Sequence, residues 1–348
     1  MENGRKLMIF FENDYLEGAH EKILTRLVET NKIQASGYGT DDFSQEAAEK
    51  IKEVLHCPEA SIHFLMGGTQ TNQVVISSML KRFEGVISAD TGHISTHEAG
   101  AIEFSGHKVL TVPATDGKIS AEAIDRLLAT FYKDETYPHM VFPGMVYLSY
   151  PTEYGTLYTL EELEKISSVC HQYELPLYID GARLGYGLAC AESEVSIEDI
   201  ARVCDVFYIG GTKIGALCGE AVVFTKNNEP AQFTTLMKQN GALLAKGRLI
   251  GIQFLELFSD HLYFELSKHA IDMAMKVKRG FIDKGYQLFI DSPTNQQFFI
   301  MSNEKIEELR PYVQFSNWEV YDETYQVIRV VTSWATLEEN VELLLSLL

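Results

Sequence analysis

A single lysine, Lys213, follows the apolar run Val206-Phe207-Tyr208-Ile209 and the glycines Gly210 and Gly211. A lysine desolvated at a strand end loses proton affinity, and its neutral amine can form a Schiff base with a carbonyl compound. The glycines let the backbone approach a ligand closely. Asp180 closes a second apolar run, Leu177-Tyr178-Ile179, and is followed by Gly181-Ala182-Arg183. Open parallel sheets bind ligands at the carboxyl ends of their strands, so both residues stand where a ligand would. An aspartate there can keep a pyridine nitrogen protonated, which makes the ring an electron sink for a carbanion. Taken singly, each has a plain structural reading, the lysine as a solvated charge and the aspartate as a turn cap. Together they point to pyridoxal 5′-phosphate (PLP).

Further groups are placed to serve that chemistry. Gly67-Gly68-Thr69-Gln70-Thr71-Asn72 joins a strand to a helix, where first-turn amides and the Thr69 hydroxyl can hold a phosphate. Thr212 is a further candidate donor, and Arg183 can grip a carboxylate with two parallel bonds or serve as a structural ion pair. The segment Asp90-Thr91-Gly92-His93-Ile94-Ser95-Thr96-His97-Glu98 is unusually polar. Its order is not that of a zinc motif, so no metal is expected. Instead His93 can stack on a pyridine ring and Glu98 can reach the reacting atoms. His97 reads as a hydrogen-bonded structural histidine.

The elements that must carry these groups alternate along the chain. Strands are expected at 62–66, 86–89, 108–112, 145–149, 177–180, 206–209 and 220–224. Helices are expected at 16–31, from 43 to 55, from 69 through 80, at 121–131 behind Ser120, and at 160–173. Short apolar strands alternating with amphipathic helices predict an α/β fold with a mostly parallel sheet covered on both faces. Beyond Lys226 the pattern predicts long helices at 233–257 and 261–284. A smaller α/β unit follows, with strands at 298–301 and 326–331 and helices at 304–309 and from 337. The expected division is a large domain over 35–235 and a small one over 236–348, with 1–34 packed nearby.

The 348 residues carry a formal net charge of −20. Such a surface repels phosphate backbones and anionic lipid, so neither nucleic acid nor membrane is an expected partner. The apolar run Leu7 to Phe11 is too short for a signal peptide, and no stretch approaches the ~18 apolar residues of a membrane span. Five cysteines without a Cys-x-x-Cys read as reduced thiols, and the expected location is the cytoplasm.

Gly68-Thr69-x-x-Asn72, His93 with Glu98-Ala-Gly five residues on, Asp180-Gly-Ala-Arg183 and Lys213, in this order, resemble the threonine aldolase/β-eliminating lyase family. The resemblance runs from about Phe11 to the C-terminal segment. It implies the fold-type I architecture of PLP-dependent enzymes, with a mostly parallel seven-stranded sheet in the large domain and a smaller α/β C-terminal domain. It also implies PLP bound to Lys213, a ring-nitrogen partner in Asp180, stacking by His93, and phosphate contacts from Gly68, Thr69 and Thr212. Arg329 matches a family arginine that binds the substrate carboxylate with Arg183, and Asn13-Asp14 takes the place of a Ser-Asp segment that lines the substrate. Family members are homodimers or homotetramers with the active site at the subunit interface, and Tyr38 and Lys246 are the candidates to reach in from a partner. Where the aldolases have Asn-Thr-His, this chain has Pro151-Thr152-Glu153.

The resemblance implies cleavage of the Cα–Cβ bond of a β-hydroxy-α-amino acid such as L-threonine or L-allo-threonine, to glycine and an aldehyde. His93, Glu98 and Glu153 are the candidate bases. β-Elimination on another amino acid is the alternative within this chemistry, and a non-catalytic PLP-binding protein the alternative outside it.

Overall fold

The structure, a computed structural model, describes residues 8–348. Arg5, Lys6 and Leu7 lie outside them. Thirteen strands are described: β1 (Ile9–Phe10), β2 (Ser61–Leu65), β3 (Glu84–Ala89), β4 (Val109–Val112), β5 (Phe142–Ser149), β6 (Leu177–Asp180), β7 (Val206–Gly210), β8 (Glu220–Phe224), β9 (Gln287–Ile290), β10 (Gln296–Ser302), β11 (Val313–Gln314), β12 (Ser316–Val320) and β13 (Tyr325–Val331).

Seven of them form one sheet in the order β2-β8-β7-β6-β5-β3-β4. β3 to β7 with β4 pair in parallel, while β8 runs antiparallel to both β7 and β2. The sheet is covered on both faces, which is why its strands read as apolar runs rather than as alternating patterns. Val146, Leu148, Ile179, Phe207, Ile209 and Val223 pack into one core, with helices such as Leu160–Gln172 and Ala121–Lys133. Met145, Tyr147, Tyr178, Val206, Tyr208 and Val222 face the other core, against Val74, Val75 and Ile76 of the helix Gly68–Met79. Because only β8 is reversed, one edge of the sheet gathers the carboxyl ends of the other strands together with the first residue of β8.

The helix starts follow local chemistry. Thr159 and Glu162 form a reciprocal capping box ahead of Leu160–Gln172, and Ser196 with Asp199 does the same for Ile197–Val203. The long helix expected over 233–257 is two helices, Phe233–Gln239 and Arg248–Leu257. Gly241 adopts φ +68° after the first, and the intervening chain packs on a distant loop. There the Tyr38 N–H donates to the Ala245 carbonyl, and a Cβ on Gly247 would lie 2.3 Å from the Gly39 nitrogen. Apolar spacing alone does not reveal that interruption. The last helices match more closely, at Leu262–Asp283 and Glu338–Leu347.

The C-terminal strands form a separate antiparallel sheet in the order β12-β13-β10-β9. Of these, β9 and β12 were not among the expected strands. A third core of Phe281, Phe299, Ile328, Val330 and Leu344 includes Ile9 and Phe11 from the N-terminal segment. β1 pairs with β11, and the Val331 N–H donates to the Phe11 carbonyl. Residues 12–15 are thereby carried from the small sheet to the edge of the large one.

Candidate active site

Asp180, at the end of β6, is 4% exposed and its carboxylate is fully engaged. Oδ2 accepts from the Tyr147 hydroxyl at 2.6 Å and from Asn72 Nδ2 at 2.9 Å. Oδ1 accepts from the Tyr208 hydroxyl at 2.6 Å and from the Ala182 N–H at 3.0 Å. Burial would raise its pKa, but the nearby His93 and the bonds from Tyr147, Tyr208 and Asn72 outweigh it and hold the carboxyl below its usual range. Tyr147, Tyr178 and Tyr208 come from adjacent strands and one face of the sheet. Their hydroxyls are kept neutral by burial and by the charge of Asp180. Tyr178 donates to Asn72 Oδ1 at 2.7 Å, which fixes the Asn72 amide with its two hydrogens on Asp180 and Glu98.

Lys213 faces the same cavity, a space of about 320 Å³ lined also by Gly68, Thr69, His93, Glu153, Arg183 and Glu220. Burial first, and then the charge of Arg183, lower the pKa of its amine. Arg183 is itself held by Asp14, through Nε at 2.7 Å and Nη2 at 3.0 Å. Asn295 adds a third donor to Asp14 at 2.9 Å. Two of the guanidinium nitrogens are therefore committed within the protein. The Thr212 hydroxyl donates to Glu220 Oε1 at 2.8 Å and accepts from the Gly219 N–H at 3.0 Å.

His93 opens a short turn after β3. Its Nδ1 lies 2.7 Å from Glu98 Oε1, and its backbone N–H donates to Glu153 Oε1 at 2.8 Å. Ser149, the last residue of β5, donates to the same Glu153 oxygen at 2.5 Å. Burial raises the Glu153 pKa above the usual carboxyl range. Glu98 does not line the cavity; it lies behind His93, its Oε2 buried and without a partner. His97 accepts or donates at Thr96 Oγ1 over 2.6 Å and stacks between His93 and Trp318. Among the described residues no group of three His, Cys, Asp or Glu side chains is placed to hold a metal ion.

Besides Glu98, four expected residues lie off this cavity. Asn13 turns back to accept from the Tyr15 N–H at 3.1 Å, and Tyr15 rather than Asn13 lines the space. Arg329, on β13, donates to Gln296 Oε1 at 3.1 Å and to the Glu12 carbonyl at 3.2 Å, beneath Trp318 at 4.8 Å. Burial and the charge of Arg183 bring its pKa down to about 10. Tyr38 and Lys246 sit on surface loops, with Tyr38 49% exposed. Conversely, Tyr147, Tyr208, Ser149 and Glu220 belong to the site although no sequence signal singled them out.

These residues fit PLP. Lys213 Nζ makes no hydrogen bond or ion pair among the described residues, as a carbonyl-binding amine requires. The helix Gly68–Met79 has no side-chain cap, so its first amides are free for a phosphate. A Cβ on Gly68 would lie 3.1 Å from the Tyr208 hydroxyl, which is the reason for glycine there.

A model of the beta-eliminating lyase family matches residues 21–303. A low specificity L-threonine aldolase of Pseudomonas aeruginosa is 30% identical over 306 residues, covering 86% of each chain. The structure of a threonine aldolase of Leishmania major superposes with a TM-score of 0.94 at 42% identity, over 97% of this chain and 98% of that one. A double mutant of the Thermus thermophilus aspartate aminotransferase shares the fold, with a TM-score of 0.70 at 15% identity over 98% of this chain and 90% of that one.

Proposed function

The chain belongs to the beta-eliminating lyase family and is a PLP-dependent lyase of fold-type I; from that premise we propose that it cleaves the Cα–Cβ bond of β-hydroxy-α-amino acids. L-Threonine and L-allo-threonine are the proposed substrates, and glycine with acetaldehyde the products. The observation that carries this reading is that Lys213 and Asp180 line one cavity from strand ends in a single sheet.

Bound PLP would supply the electron sink for the pair released when the Cα–Cβ bond breaks. Lys213 is the residue that holds it covalently, and Asp180, kept ionised by its four donors, is the partner of its ring nitrogen. His93 covers one ring face, steadied by Glu98. Gly68 and Thr69 hold the phosphate. Glu153 is the base for the β-hydroxyl proton. Both bonds that it accepts from other residues fall on Oε1, and Glu153 stands on the cavity wall whereas Glu98 does not. Arg183, squared up by Asp14 and standing on the cavity wall, binds the substrate carboxylate.

The protein works as a homodimer or homotetramer in this reading. Val28 is 77% exposed, and Leu24 is exposed one turn before it on the helix Glu21–Thr30, apolar residues suited to a second copy of the chain. All five cysteines are free, in keeping with a reducing cytoplasm. The deciding experiment incubates purified protein and PLP with a panel of β-hydroxy-α-amino acids. Aldehyde and glycine are expected in equal amounts. A 2-oxo acid and ammonia instead (2-oxobutyrate from threonine, pyruvate from serine) would assign β-elimination, and no turnover with retained yellow cofactor would assign a binding protein.

A further inference from the structure

Glu220 is a carboxylic acid where an anion is to be held. β8 runs antiparallel to its neighbours, so its first residue comes to the edge that gathers the other strands' carboxyl ends. Glu220 pairs in register with Leu65 of β2, three residues before Gly68, and with Gly210 of β7, three residues before Lys213. Its side chain lines the cavity with Gly68, Thr69, Thr212 and Lys213. A second negative charge beside a phosphate dianion opposes binding, and here both would share one low-dielectric space.

The hydrogen-bond count at Thr212 offers a way out. A hydroxyl has one proton to give and two lone pairs to receive with. The Thr212 oxygen receives the Gly219 N–H, and when Glu220 is ionised the one proton goes to Glu220 Oε1. In that state Thr212 has nothing to donate to a ligand. When Glu220 carries a proton on Oε1, the same 2.8 Å contact reverses: Glu220 donates, Thr212 accepts twice, and the Thr212 proton is free for the cavity. Oε2 meanwhile keeps the Gly211 N–H at 3.0 Å.

We infer that Glu220 works as a protonated positioning residue, passing a hydrogen-bond donor through Thr212 to the phosphate of PLP. This rests on the PLP reading above. Burial supports it by pushing the Glu220 carboxyl up to about 8, against the bonds from Thr212 and Gly211 and the charge of Lys213. The other groups facing Glu220 are Asp180, Tyr178, Tyr208, Tyr263 and Cys218. The tyrosines and Cys218 are shifted upward, so near neutral pH Lys213 and Asp180 are the charges that matter.

The test measures the dissociation constants of PLP and of pyridoxal, which lacks the phosphate, for the apoprotein across about pH 6.5 to 9.5. Wild type, Glu220→Gln, Thr212→Ser and Thr212→Val are compared, with binding read from the absorbance of the lysine-bound cofactor. A glutamine presents a neutral N–H to Thr212 at every pH. The wild type is therefore expected to lose PLP affinity relative to Glu220→Gln by about tenfold or more over that range, with no such divergence for pyridoxal. Thr212→Ser should keep the wild-type slope, and Thr212→Val should bind PLP weakly with a shallower one, since only the direct repulsion from Glu220 remains. Parallel wild-type and Glu220→Gln slopes overturn the inference, as does the same divergence with pyridoxal, which would trace the effect to Lys213. Wild type with no cofactor absorbance at any pH overturns the PLP reading and this inference with it. Should Glu220→Gln fail to fold, equal slopes for Thr212→Val and Thr212→Ser still overturn the inference.

Discussion

His93 Nδ1 lies 2.7 Å from Oε1 of Glu98, a carboxylate whose side chain is wholly buried. The same oxygen accepts from Asn72 Nδ2 at 2.7 Å, and Asn72 spends its other amide hydrogen on Asp180. One buried carboxylate thus steadies both the stacking imidazole and the amide that supports the ring-nitrogen partner. Glu98→Ala strands one buried donor, the Asn72 amide, while the partly exposed His93 ring can turn to water, so a loss of about 1–3 kcal/mol in unfolding free energy is expected. Urea denaturation of the folded variant reads it directly. Glu98→Gln, which keeps an acceptor, should lose less. A Glu98→Ala variant as stable as the wild type would show that the network does not bear on the fold.

Lys213 is a buried amine with lowered proton affinity. Lys213→Ala should abolish the absorbance of bound cofactor and the activity, while the protein still folds. The stability sign follows from linkage. The folded-state pKa lies below the unfolded value near 10.5, so the unfolded chain binds more protons between the two. The wild type therefore gains stability as pH rises through the folded pKa toward 10.5, and loses it again as pH falls. The alanine variant lacks that slope. Its advantage over the wild type should be largest at neutral pH and shrink as pH rises, which thermal unfolding at a series of pH values checks.

Why were Lys213 and Asp180 legible when their partners were not? Each closes an apolar run and adjoins glycine, so the sequence itself carries the strand end and the ligand approach. Glu220 looks like an ordinary strand start. Its place beside Lys213 depends on β8 running antiparallel, which only pairing decides. Tyr147 and Tyr208 sit inside strands and read as core; they become Asp180 donors because β5, β6 and β7 are neighbours on one face. The break in the helix expected over 233–257 arises from contact with residues 37–39, some 200 positions away. The strand-and-helix alternation of the large sheet, and with it the fold class, was legible because its periodicity is local, whereas β9 and β12 of the small sheet were not expected.

Gly68 makes the phosphate cradle testable. An alanine there places its Cβ 3.1 Å from the Tyr208 hydroxyl, tighter than an ordinary contact. Either Tyr208 yields its 2.6 Å bond to Asp180, or the start of the helix shifts outward. Both weaken cofactor binding. Gly68→Ala should raise the PLP dissociation constant about tenfold, while Tyr208→Phe, which loses one bond to a charged group, costs about 1.5–3 kcal/mol of stability. Combining Gly68→Ala with Tyr208→Phe should recover part of the cofactor affinity, because the crowding oxygen is gone. Equilibrium titration of the apoproteins reads these outcomes. Unchanged affinity in Gly68→Ala would move the phosphate away from this helix.

Glu153 separates activity from stability. A carboxylate base acts only when ionised, and burial raises its pKa above the ordinary carboxyl range. Activity should therefore fall as pH drops through that raised value. Glu153→Gln should reduce kcat by about 10²–10⁴ and remove this acid limb. Stability should move the other way. A carboxyl whose folded pKa exceeds its unfolded value makes the folded state bind more protons, so stability declines as pH rises through the window between them. Glutamine keeps an oxygen for the Ser149 hydroxyl and the His93 N–H without burying a charge. Glu153→Gln is thus expected to be as stable as the wild type at acidic pH and more stable at neutral pH, yet nearly inactive. A variant that keeps its activity would return the base to His93.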